Sequence, residues 1–91
     1  MKSSISQNRI EPVATKVSFD DDSLIVALTD GRVISVPLVW FPRLERANKE
    51  QLAKWELLGG GSGIHWPELD EDISVEGLLQ GIPSREKRSK V

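Results

Sequence analysis

Asp30-Gly31 stands between two runs rich in aliphatic and β-branched residues, Leu24-Ile25-Val26-Ala27-Leu28 and Arg32-Val33-Ile34-Ser35-Val36. A dipeptide of this kind is the strongest short hairpin signal, because a type I′ turn needs positive φ at both central residues. It commits the first half of the chain to antiparallel sheet. A third run precedes it. Ala14-Thr15-Lys16-Val17-Ser18-Phe19 suits a strand with Val13, Thr15, Val17 and Phe19 on one face. Asp20-Asp21-Asp22-Ser23 supplies the connecting turn, since short polar side chains bond their own backbone. The expected unit is a three-stranded meander. With Asp30-Gly31 as a two-residue loop, Thr29 faces Arg32, Ala27 faces Ile34 and Ile25 faces Val36. Leu24, Val26, Leu28, Val33 and Ser35 then share the opposite face. Both faces are largely apolar in that register. One would cover a helix; the other would need a cover too, which points to a homo-oligomer.

Pro37 ends the third strand because it cannot donate to a ladder. Val39 to Ala47 reads as a short helix beginning near Phe41, since Pro42 is tolerated only in a first turn. Asn48-Lys49-Glu50-Gln51 has capping-box form and opens a helical turn through Lys54. Trp55-Glu56-Leu57-Leu58 and Gly63-Ile64-His65-Trp66 read as a fourth and a fifth strand, a later hairpin joined by glycines and stopped by Pro67. Ser74 caps a last helix through Gln80, with Glu76 favourable in its first turn. Gly81, followed by Ile82-Pro83, ends that helix. The fold class is α+β: a short antiparallel sheet, meander plus hairpin, flanked by short helices. Residues 1–12 read as a flexible leader and residues 83–91 as a basic tail, around a single domain at 13–82.

Ninety-one residues make one domain with a modest core, burying about 60% of the surface its unfolded chain exposes. The absence of cysteine excludes disulfides and thiolate metal sites. No apolar run approaches the roughly 18 residues of a membrane span, and residues 1–9 lack the apolar stretch of a signal peptide. A cytoplasmic location without membrane partners is expected. Through Gly81 there are eight Lys/Arg and 13 Asp/Glu; beyond it there are four Lys/Arg and one Glu. An acidic body with a basic tail is not the footprint of a nucleic-acid-binding fold, so direct nucleic-acid binding is not expected. The tail Arg85-Glu86-Lys87-Arg88-Ser89-Lys90 carries too few bases for stable phosphate binding alone and reads as solvated.

The densest chemistry lies between Gly59 and Gly81. The glycines lack the Lys that follows a P-loop and read as a hairpin connection. His65 with Glu68, Asp70, Glu71 and Asp72 admits three readings. Oxygen and imidazole ligands suit a divalent ion, but there is no second histidine and no calcium-loop spacing. The acids also favour the helix N-terminus at Ser74 and can bond backbone amides in a turn over Pro67–Ile73. They would equally form an acidic patch for a partner. Trp66, between Ile64 and Pro67, reads as core. Trp40, beside Phe41, reads either as a core anchor or as an interface residue. No nucleophile has a credible base: Ser62 is three residues from His65, but no third group orients the ring. The resulting expectation is a non-enzymatic module without cofactor or metal, with a protein partner, whose interaction surface draws on Trp40, Phe41, His65, Asp70 and Asp72.

Four blocks together carry a family resemblance: Asp30-Gly31-Arg32; Trp40-Phe41-Pro42-Arg43-Leu44; Gly63-Ile64-His65-Trp66-Pro67; and the run from Leu69 through Asp70-Glu71-Asp72-Ile73-Ser74-Val75-Glu76-Gly77-Leu78 to Leu79. The chain resembles the bacterial family catalogued as domain of unknown function 2442 over roughly residues 13–81. The resemblance implies a compact α+β domain with a short antiparallel sheet flanked by helices. It implies no catalytic residue and no cofactor. Related domains occur alone, fused to a helix-turn-helix, or beside genes resembling toxin–antitoxin partners. An antitoxin-like or transcription-linked regulator acting with a neighbouring gene product is therefore the alternative role. The stretch after Gly81 is too short for a helix-turn-helix, which weakens any direct contact with DNA.

Overall fold

The computed structural model describes residues 12–83. Strands β1 (Ala14–Phe19), β2 (Ser23–Leu28) and β3 (Val33–Pro37) form an antiparallel sheet in that order. A 3-10 turn over Leu38–Trp40 leads into helices α1 (Pro42–Glu45) and α2 (Lys49–Leu52). A second antiparallel sheet comes next, β4 (Glu56–Leu58), β5 (Gly63–Trp66) and β6 (Glu71–Ser74), again in sequence order. Helix α3 (Val75–Gln80) closes the described chain. The α+β class holds, but the later hairpin is a second meander. Glu71–Ser74 is a strand, where the sequence suggested the end of a turn. The expected leader (1–12) and basic tail (83–91) lie, but for Pro12 and Pro83, outside the described residues.

The hairpin between β2 and β3 turns one residue differently from the expectation. Gly31 has φ 95, whereas Asp30 has none of the positive φ a type I′ turn requires. The Gly31 amide donates to the Leu28 carbonyl (3.1 Å) and the Leu28 amide to the Arg32 carbonyl (2.9 Å). Thr29, Asp30 and Gly31 thus make a three-residue loop whose last residue takes the left-handed conformation. Asp30 holds it: one carboxylate oxygen accepts from the Arg32 amide at 3.0 Å, the other from Arg32 Nε at 2.8 Å. The bond from the Arg32 amide, followed by the guanidinium, keeps the Asp30 pKa below its usual range. Leu24 therefore faces Val36, Val26 faces Ile34 and Ala27 faces Val33.

Because side chains alternate between faces, that shift regroups the sheet. Leu24, Val26, Leu28 and Val36 are all buried together. The other face pairs Lys16 with Ala27, Ser18 with Ile25 and Ile25 with Ser35. It is a mixed face, where the sequence suggested a second apolar one. In β1 the register slips between Ala14 and Lys16. This bulge leaves Thr15 exposed and turns Ala14, Val17 and Phe19 toward the core in place of the predicted set beginning at Val13.

The helix ends follow their sequence signals. Pro42 occupies the first turn of α1. Asn48 Oδ1 accepts from the Gln51 amide at 2.8 Å while Gln51 Oε1 accepts from the Asn48 amide at 3.1 Å, a complete capping box. Ser74 Oγ accepts from the Gly77 amide at 2.9 Å, and Gly81, at φ 76, ends α3. Both sheets share one core. Leu24, Val26, Leu44, Ile64 and Trp66 have no exposed surface. Phe19 of the first sheet meets Trp66 of the second edge-on, with ring centroids 6.2 Å apart. Trp66 Nε1 donates to the Leu52 carbonyl at 3.1 Å, which ties β5 to the end of α2. No helix among the described residues is long and apolar enough to cross a membrane.

Candidate functional site

The alternation along β5 sends Ile64 and Trp66 inward and leaves His65 on the outer face. Register then places Glu56 of β4 on one side of His65 and Asp72 of β6 on the other. Nδ1 of His65 is hydrogen-bonded to Asp72 Oδ1. That bond, reinforced by the charges of Asp72 and Glu56 against a smaller desolvation effect, raises the His65 pKa above its ordinary 6.5. The imidazole is the middle of a cross-strand row in which carboxylates stabilise its charged form.

The remaining acids of the segment do not join this row. Asp70 takes a left-handed conformation at φ 53, and its carboxylate is 96% exposed. Its carbonyl accepts a hydrogen bond from the Arg43 guanidinium. Glu71 points inward, with only 6% of its surface exposed, and lies 4.0 Å from the same Arg43. A buried carboxylate is costly without such a partner. Glu68 pairs with Lys54 at 2.8 Å. The acids thus have separate structural tasks, and among the described residues no three His, Cys, Asp or Glu side chains are grouped to hold a metal ion.

Of the expected interaction surface, His65 and Asp72 are brought together and Asp70 stands apart. Phe41 is 3% exposed and belongs to the core. Its place in the surface is corrected: the 3-10 turn rotates the ring inward, where it joins Leu38 and Leu44 in the core. Trp40 is half-buried against that core, and its ring edge would lie 3.9 Å from a Cβ at Gly81. Trp66 is core, as its neighbours suggested.

A different feature emerges on the other side of α1 and α2. An open groove of about 530 Å³ runs between the end of β1 and these helices. Buried Val17, Leu38 and Leu44 form its floor with half-buried Phe19, Leu52 and Trp55. Asp20, Asp21 and Glu45 stand at its rim, with Lys49 as the one base among its lining residues. Sequence reasoning missed it because its two walls are far apart along the chain. Trp55, a large ring preceding an exposed strand, is the only local signal of it.

Comparison with solved structures places this arrangement among proteins of undetermined role. A crystal structure of a protein of unknown function from Rhodospirillum rubrum superposes with a TM-score of 0.73 and 38% sequence identity, covering 85% of this chain and 95% of that one. The solution structure of an uncharacterized protein from Chromobacterium violaceum shares the fold, with a TM-score of 0.69 and 24% identity over 81% of this chain and 70% of its own. No curated protein matches. Residues 14–84, which span both sheets and α3, match the family described as protein of unknown function (DUF2442), and the chain belongs to that family.

Proposed function

We propose that this chain is a non-enzymatic protein-interaction module that works in the cytoplasm through the groove between β1 and the α1–α2 pair. The observation that carries the reading is the apolar floor left open beside Trp55. Tryptophan and other large rings supply most of the binding energy where proteins meet, because they bury much area with few rotatable bonds. The only histidine supports the same reading: His65 is engaged by Asp72 on a different face and is not among the groove's lining residues. The cytoplasmic placement is supported by the lack of cysteine.

The test is site-specific photocrosslinking in the native cell. Ala53 lines the groove and is exposed, so a crosslinking residue there should capture a discrete protein. The same residue at Arg32, on the exposed hairpin tip, should not. Equal labelling at both positions, or none at Ala53, removes the reading. The antitoxin-like role is the special case in which the captured protein is the product of a neighbouring gene whose growth inhibition this chain relieves on co-expression.

A further inference from the structure

The groove lies along a free strand edge. β1 is the outer strand of its sheet, and among the described residues no strand pairs with its other side. Alternate N–H and C=O groups of such a strand point away from its neighbour and stay available for pairing. Val17, Ser18 and Phe19 of β1 line the groove without a gap, followed by Asp20 and Asp21 of the turn after it. Successive strand residues point to opposite faces, so an uninterrupted series means that the groove follows the edge of the sheet rather than either face. The Ala14 end is closed by the Gly59–Gly61 turn, where a Cβ on Gly61 would stand 2.4 Å from the Ala14 carbonyl oxygen. The Phe19 end is open, and α1 and α2 form the far wall. A strand edge facing a helical wall across an apolar floor is the arrangement in which an extended peptide adds to a sheet, the main chain giving affinity and alternate side chains giving specificity.

We propose that the groove takes an extended segment of a partner protein, which pairs with β1 as a fourth strand. This rests on the interaction-module reading. At about 3.3 Å per residue, the edge along Val17–Phe19 pairs with about three residues of the occupant. Alternate side chains of the occupant enter the floor formed by Leu44, Leu52 and Trp55. The residues between or beyond them are lysine or arginine, because Asp20, Asp21 and Glu45 outnumber Lys49 at the rim, and like charges there would oppose docking.

The probe is a displayed library of random octapeptides selected on the full chain, with the best peptide resynthesised. The expected peptides alternate apolar residues and carry at least one Lys or Arg. Their affinity should fall at least tenfold in the Asp21→Lys, Glu45→Lys double variant, whose substitutions are on exposed rim positions and leave the unfolding midpoint unchanged. Methylating alternate peptide amides should abolish binding in one register and spare it in the other, which a contact made through side chains alone would not do. Amide exchange of β1 residues should slow on binding. Selection of acidic peptides, indifference to both N-methyl registers, or protection confined to β3 or β4 overturns the proposal. So does a selection that enriches nothing. Capture at Ala53 combined with any of these failures would retain the interaction module and discard strand addition; failure of both tests removes the two together.

Discussion

One imidazole between two carboxylates makes the stability of the second sheet depend on a proton. His65 has its pKa raised by Asp72 and, more weakly, by Glu56. A group held more basic in the folded state contributes stability that is complete below its unfolded pKa and disappears as pH rises through the folded one. Urea midpoints measured between about pH 5 and pH 9 should therefore decline across and above the usual histidine range. Asp72→Asn should flatten that decline, and an equal slope in the variant would show that the pairing is unimportant. The glycine turn offers a contrast at the same scale. Gly60 has φ 70 with open space around it, whereas Gly61 has φ 108 and the Ala14 carbonyl in the way. Gly60→Ala should cost about 1 kcal/mol for the left-handed backbone alone. Gly61→Ala should cost more than about 2 kcal/mol, since strain and a backbone clash add. Chemical denaturation of the two variants measures the difference.

The short elements depend on their ends. Helix α2 is a single turn, and its capping box satisfies amides that no intrahelical bond can reach. Asn48→Ala should lower stability by about 1 kcal/mol, read from the same unfolding curves; no change would mean that packing of Leu52 alone holds the turn. This box, the Ser74 cap and the Gly81 terminus were legible because their chemistry is local, with the partner three or four residues away. β6 was not. Glu71 and Asp72 are poor strand formers, and Glu71 occupies an inward position that reads as polar; its partners there include Arg43, 28 residues earlier. The β2–β3 register was hidden for a related reason. Asp30-Gly31 announces a hairpin but does not say how many residues it spans, and that is decided by Arg32 closing on Asp30. At the candidate site, the His65–Asp72 neighbourhood was visible as a cluster, but its division into separate pairs was not. The groove was invisible because it requires residues 17–21 to meet residues 44–55.

At the scale of the molecule, two small meanders are held as one body by a common core. Trp66 is fully buried, touches Phe19 of the first sheet and bonds the Leu52 carbonyl. Trp66→Phe removes that bond and leaves a void, and should cost about 1–3 kcal/mol. Since neither sheet has a core of its own, far-ultraviolet circular dichroism and tryptophan fluorescence should report one coincident transition in wild type and variant alike. Separate transitions would mean that the sheets are independent. Among the described residues no strand pairs with the outer edge of β1, which matters when copies of the chain are concentrated. Unprotected strand edges template unwanted association between copies, and charged residues on or beside the strand are the usual defence. Here Lys16 sits within β1 and Asp20, Asp21 and Asp22 come directly after its end. Charges so placed are the means by which an open strand edge is kept from pairing with another copy of itself.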